Sequence, residues 1–350
     1  MTILKQQSLH EQQNDDVSKY LEDLNRLVQP KMIELLIDGT REDNRDAICY
    51  QILSGGKRLR PALTLISCKM LGGNYAEALY PAAALEILHN CTLIIDDIID
   101  HSSVRRNKPT TWKQFGSSIA SCISMTYAAS IFQGGVRTEN CRFVIEKIAQ
   151  TLKCVADGEM LDILFECEGR ADEAFVASNR YSQINMDDYV KMIGMKTATL
   201  FRASCEIGGL CANGKKEHIS ALSDYGYHIG MAFQIRDDIL DIFGDERTFG
   251  KIIGKDILER KMGNIVIIFA LQELGTRNAL TAALHKEGDH EKDEILAAID
   301  AINETTAKHR ASILCDEFID LCNSNLDLLP QNKELRRLRE TAVLVSCRNN

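Results

Sequence analysis

Three aspartates, Asp96, Asp97 and Asp100, interrupt the apolar run "LEILHNCTLIIDDIID" over residues 85–100. Burying an ionised carboxylate without a partner costs on the order of several kcal/mol, so something must compensate them. On a helix, Asp96 and Asp100 stand on one face about 6 Å apart along the axis, with His89 two turns earlier on that face. A second group, in "MAFQIRDDILDIF", sets Gln234, Asp237, Asp238 and Asp241 on one face of another apolar helix. Hard oxygen donors of this kind suit divalent cations, and Mg2+ usually takes one or two protein carboxylates together with substrate phosphates. Each group interrupts Ile and Leu rather than other polar residues, which points to one shared ligand rather than to two solvated acidic faces.

The basic residues fall where such a ligand needs them. "GGKRLRP" supplies Lys57, Arg58 and Arg60, and "SVRRNKPT" puts Arg105 and Arg106 just past the first acidic group. Further along come Lys196 in "GMKTATLF" and Lys251, Lys255 and Lys261 in "GKIIGKDILERK". Near metal-binding carboxylates they read as diphosphate ligands, with Arg giving forked contacts. The formal charge of the whole chain, −9, argues against nucleic-acid binding, which draws on clustered Lys and Arg.

The elements that must carry these residues are helices. The chain has 350 residues, 45% of them hydrophobic, enough for a sizeable core. Its five prolines leave residues 110–329 without the strongest helix breaker, and aromatics are only 6%. The expectation is an all-α protein, one large bundle of ten or more helices over residues 17–350 behind a polar, Gln-rich, disordered tail at 1–16. Val17, Leu21, Leu24 and Val28 keep helical spacing, Pro30 interrupts, and "MIELLI" resumes, which predicts a helix pair. The twelve cysteines form no C-x-x-C pair, which favours reduced core thiols and a cytoplasmic chain over zinc sites or disulfides. No signal peptide is evident, and no apolar stretch reads as a membrane span of about 18–20 residues.

Taken in order, "GGKRLRP", "DDIID" with the following Arg-Arg, "GEMLDILFE", "KTATLF", "FQIRDDILD" and "GKDILERK" resemble the trans-isoprenyl diphosphate synthases, the polyprenyl synthetase family, over about residues 17–348. "LHNCTLIIDDIID" is most similar to geranylgeranyl diphosphate synthases of the eukaryotic type. Ile95 stands where many bacterial and archaeal members have His, Asn107 where Gly usually follows Arg-Arg, and "KMGNIV" where many read K-x-T-L-P.

The resemblance implies an isoprenoid-synthase helical bundle with a central cavity, Mg2+-dependent head-to-tail condensation of isopentenyl diphosphate with an allylic diphosphate, and a homodimer or higher homo-oligomer. It implies three Mg2+ ions, two on Asp96 and Asp100 and a third on Asp237 supported by Asp241. Arg105, Lys196, Lys251 and Lys261 would complete the clamp on the allylic diphosphate, and Gly56, Lys57, Arg60, His89 and Arg106 would hold that of isopentenyl diphosphate. The Thr197 hydroxyl, the Gln234 amide and the Lys196 carbonyl would face the allylic cation. Product length in the family depends on bulk beneath the first acidic group, where Cys91 and Thr92 offer none, so geranylgeranyl diphosphate is expected, with longer chains or farnesyl diphosphate as alternatives. A class I terpene cyclase is opposed by Asp237, Asp238 and Asp241, and a non-catalytic subunit by two complete acidic groups.

Overall fold

The computed structural model describes residues 2–244, 253–275 and 277–346, with side chains from residue 17 onward. Its helices are α1 Thr2–Ile37, α2 Arg45–Leu53, α3 Leu59–Met70, α4 Tyr75–Ile99, α5 Thr111–Phe115, α6 Ser117–Gly135, α7 Cys141–Leu164, α8 Ala174–Asn179, α9 Met186–Ile193, α10 Thr199–Cys211 and α11 Lys216–Phe243. They continue as α12 Lys255–Leu258, α13 Ile265–Leu274, α14 Ala279–Leu284, α15 Lys292–Asn303, α16 Ala307–Leu326 and α17 Lys333–Ser346. Among the described residues the sole sheet is an antiparallel hairpin of β1 Val104–Arg105 and β2 Lys108–Pro109, so the all-α expectation holds.

Contacts divide the chain into two compact units: Met1–Leu152, Leu200–Tyr227 and Cys322–Leu344 form the first, and Lys153–Thr199, His228–Leu321 and Val345–Asn350 the second. In the first, α4 packs against α6, α3 and α1. The surrounding helices explain why α4 is apolar on nearly every side, from Ala82 through Leu88. By length and composition α4 is long and apolar enough to cross a membrane, which corrects the sequence expectation, but 67% of its most apolar window is buried, as in a core helix. In the second unit α13 packs on α9, and α12, α14 and α15 pack on one another.

Two local expectations change. Helix α1 runs straight through Pro30, so the predicted pair is one helix. A mid-helix proline costs about 3 kcal/mol, and the stripe Val17, Leu21, Leu24, Val28, Met32 and Leu35, buried on both sides of it, offsets that. Helix α1 also begins at Thr2, within the stretch read from composition as a tail.

Candidate active site

Helix α4 carries the first acidic group. Asn74 caps its start, accepting from the Ala76 N–H at 3.1 Å, and Asp100 closes its end, its own N–H donating to Asp96 O at 2.8 Å. Arg105, on β1, reaches back as a fork: Nη2 donates to Asp96 Oδ2 at 2.7 Å and Nε to Asp97 Oδ1 at 2.8 Å. Asp97 is fully buried and Asp96 partly so. Sequence reasoning placed Arg105 on a diphosphate; here it holds two carboxylates.

The residues after Arg105 make a two-residue turn, Arg106 and Asn107, both at positive φ (54° and 59°). A turn of this kind suits the twist of a hairpin, and Asn tolerates the left-handed region better than most residues, which accounts for Asn107 where Gly is usual. The turn aims Arg106 at the "GGKRLRP" loop. Its guanidinium donates to Gly55 O, and a Cβ on Gly56, itself at φ 131°, would lie 2.8 Å from Arg106 Cζ. Only glycine lets the two approach so closely. Arg58 is the strut of this loop, donating to Gln29 Oε1 at 2.8 Å and to Ile52 O at 2.9 Å, while Lys57 O accepts from Asn25 at 3.1 Å. Arg60 is almost buried and stacks on Phe201 of α10, 4.3 Å from the ring centre.

His89 faces this basic group. Burial pushes its imidazole well below the usual histidine value, and Arg60, Arg106 and Arg105 push the same way against Asp96. It is therefore neutral at pH 7, able to donate one N–H to an anion. One turn earlier lies Glu86, a residue that no sequence motif singles out. It is 1% exposed, Oε1 accepts from Asn90 Nδ2 at 3.0 Å, and Oε2 has no hydrogen-bond partner among the described residues. Burial raises its carboxyl, while Arg60, Arg106 and Arg58 pull it down. Beneath Asp96, Cys91 is buried with Sγ donating to Ser124 O of α6 at 3.5 Å, and Thr92 donates to His89 O at 2.8 Å.

The second acidic group stands on α11, in the second unit. Asp238 turns inward, 3% exposed, and accepts from Tyr189 Oη at 2.8 Å, Gln234 Nε2 at 2.9 Å and the Ile265 N–H at 3.0 Å. Burial and the nearby Asp256 push its carboxyl well up, and the three donors pull it back. The bond from Gln234 fixes that amide so that its Oε1 accepts from Thr197 Oγ1 at 2.8 Å. Thr197 lies in a π-helical turn, Gly194–Ala198, pressed against α7: a Cβ on Gly158 would lie 2.3 Å from Lys196 N. Such one-residue expansions of a helix are frequent at functional positions.

Asp241 accepts from the Asp256 N–H at 3.1 Å, and its own carbonyl accepts from the Gly254 N–H at 2.7 Å. Asn264, in the departing "KMGNIV" stretch, is fully buried; it caps α13 through the Val266 N–H at 2.9 Å and ties Asp256 Oδ2 at 2.9 Å. Lys196 contacts Asp162 Oδ2 at 2.6 Å and Glu159 Oε2 at 2.9 Å, and Lys261 contacts Glu259 Oε2 at 3.2 Å and Asp162 Oδ2 at 3.5 Å. Lys251 lies outside the described residues.

Among the described residues no three His, Cys, Asp or Glu side chains converge as a ready-made metal cage. The donors are nevertheless right for Mg2+. Carboxylates of Asp96, Asp100, Asp237 and Asp241 offer hard oxygens in two groups, and an ion that completes its shell with phosphate oxygens and water needs no protein cage.

The family model described as polyprenyl synthetase matches residues 42–302. The short chain isoprenyl diphosphate synthase of Methanothermobacter thermautotrophicus is 30% identical over 94% of this chain and 98% of its own. The structure of geranylgeranyl pyrophosphate synthetase from Pyrococcus horikoshii superposes with a TM-score of 0.84 at 29% identity, covering 95% of this chain and 99% of that one. A polyprenyl synthase from Caulobacter crescentus, solved with calcium and isoprenyl diphosphate, gives a TM-score of 0.84 at 26% identity over 96% and 98% of the two chains.

Proposed function

The chain belongs to the polyprenyl synthetase family and is a prenyltransferase, and from that premise we propose that it condenses isopentenyl diphosphate with an allylic diphosphate in a Mg2+-dependent reaction whose main product is geranylgeranyl diphosphate. One observation carries the reading. The first unit holds two different anion environments: the carboxylates Asp96 and Asp97 bridged by Arg105, and a basic group of Arg106, packed on Gly56, and Arg60, both acting on the buried Glu86. The first suits a diphosphate that arrives with metal ions; the second suits one held by guanidinium groups directly. A terpene cyclase, with one diphosphate to bind, has no use for both.

In this reading Asp96 and Asp100 hold two Mg2+ ions and Asp237, backed by Asp241, a third. When bound, they neutralise the charge that builds on the allylic diphosphate as its C–O bond breaks. Arg105, Lys196, Lys251 and Lys261 bind the same leaving group, so that the site favours the transition state over the ground state. One unit charge pair at 4 Å is worth about 4 kcal/mol at an effective dielectric of 20, and about 1.36 kcal/mol is tenfold in rate. Gly56, Lys57, Arg60, His89 and Arg106 orient isopentenyl diphosphate, whose double bond attacks the allylic carbon. Thr197 and Gln234, locked to each other, present dipoles and no nucleophile to the cation. The released diphosphate takes the proton, so no side-chain base is required.

The small Cys91 and Thr92 support a product longer than farnesyl diphosphate, and the "HNCTLIIDD" resemblance selects geranylgeranyl diphosphate. The apolar side chains Ile119, Met125 and Phe132, exposed on α6, support a homo-oligomer. All cysteines among the described residues are free thiols, which supports a cytosolic setting. Incubation with isopentenyl diphosphate, Mg2+ and dimethylallyl, geranyl or farnesyl diphosphate in turn, followed by chromatography of the dephosphorylated alcohols, tests the proposal. Geranylgeraniol should dominate and vanish with EDTA; a cyclic hydrocarbon formed from the allylic substrate alone would overturn it.

A further inference from the structure

Within the second unit, six side chains alternate in charge as one connected chain. Glu159 meets Lys196 at 2.9 Å, Lys196 meets Asp162 at 2.6 Å, Asp162 meets Lys261 at 3.5 Å, Lys261 meets Glu259 at 3.2 Å, and Glu259 meets Lys255 at 2.8 Å. The members come from three places in sequence: α7 gives Glu159 and Asp162, one turn apart on one face; the π-helical turn gives Lys196; and the stretch that begins with α12 gives Lys255, Glu259 and Lys261. Their side chains are 10–29% exposed, so the pairs are partly desolvated. Asp162 is the central link, in contact with both Lys196 and Lys261.

We propose that Asp162 is a positioning residue for the allylic diphosphate: one carboxylate oxygen gathers the ammonium groups of Lys196 and Lys261, fixing the spacing at which the two lysines meet the leaving group. Three features carry this. The same oxygen, Oδ2, contacts both lysines. The backbone of Lys196 is seated against Gly158, one turn before Asp162 on the same helix, so the lysine leaves its turn at a fixed point and only its flexible stem needs orienting. Finally, Lys is a compact point charge on a long stem, which loses much rotamer entropy on binding an anion unless a fixed partner has already ordered it. Glu159 and Glu259 hold the outer side of each lysine, so Asp162 sets the distance between the two and its neighbours limit their swing.

The inference rests on the reading of Lys196 and Lys261 as ligands of the allylic diphosphate, and the experiment separates the two claims. Binding of farnesyl thiodiphosphate, an unreactive allylic analogue, is measured by calorimetry with Mg2+ for the wild type, Asp162→Asn, Asp162→Glu, Lys196→Ala and the double variant Asp162→Asn/Lys196→Ala, with KM for both substrates and melting temperatures beside it. Asp162→Asn should weaken the analogue about tenfold and raise KM for the allylic substrate while KM for isopentenyl diphosphate stays within about twofold. Asp162→Glu should recover most of that loss. The double variant should be little worse than Lys196→Ala, because Asp162 acts through the lysine. If Lys196→Ala binds the analogue normally, the ligand reading itself fails. If Lys196→Ala is weak but Asp162→Asn binds like the wild type, or raises both KM values together, the positioning role is wrong. Should Asp162→Asn not fold, Asp162→Glu decides: a folded Glu variant as weak as Lys196→Ala overturns the proposal.

Discussion

At the scale of single residues, the acidic groups and His89 make opposite demands on solvent. In the proposed reading Asp96 and Asp237 are metal ligands, so Asp96→Ala or Asp237→Ala should cut turnover by about three orders of magnitude or more while circular dichroism stays that of the wild type. Near-normal turnover with unchanged Mg2+ dependence would remove either from the metal site. His89 is held neutral by burial and by Arg60, Arg106 and Arg105. Its folded pKa lies below the unfolded value of about 6.5, so the unfolded chain takes up the proton first and stability falls as pH drops below that point. The loss is on the order of 1 kcal/mol per pH unit. His89→Gln should therefore flatten the fall in melting temperature between pH 6.5 and pH 5. An unchanged slope would mean that His89 is not the residue that resists the charge.

At the scale of elements, α4 packs on α6, and in the proposed reading that seam is the floor beneath Asp96. Cys91 is already against Ser124 O, so Cys91→Phe must push a ring into a close-packed seam. The expected result is a product shorter by one or more isoprene units, or a fold destabilised by about 1–3 kcal/mol. Chromatography of the prenyl alcohols and thermal melts distinguish these, and a folded, active variant with an unchanged product would put the floor elsewhere. The same elements show what could be read in advance. The helical spacing of Asp96 with Asp100, and of Gln234 with Asp237 and Asp241, was legible because it is local. The inward turn of Asp238 was not: a helix face is wide, and only Tyr189 and the start of α13, distant in sequence, decide which carboxylate is buried. Asp162 and Glu159 sat in plain view within "GEMLDILFE", but their lysines lie far along the chain and no period links them. Pro30 misled because a propensity cost was weighed without the buried stripe that outweighs it.

At the scale of the whole molecule, the exposed apolar side chains of α6 should be covered in solution. Met125 is 74% exposed, with Ile119 and Phe132 on the same helix. Replacing Met125 and Phe132 together by Asp should lower the mass seen by light scattering to that of a single chain without lowering the melting temperature of each unit. A wild type that is monomeric at micromolar concentration would dismiss the interface. The chain of alternating charges from Glu159 to Lys255 has its own consequence for a cell full of competing anions. Each lysine already holds a carboxylate, so an arriving anion meets ammonium groups that are partly neutralised rather than bare. Inorganic phosphate or a free carboxylic acid brings too little charge to gain much from two lysines that keep their hold on Asp162, whereas a diphosphate with its greater charge gains more. The ladder thus works as a threshold, keeping abundant small anions off the lysines until the proper cargo comes.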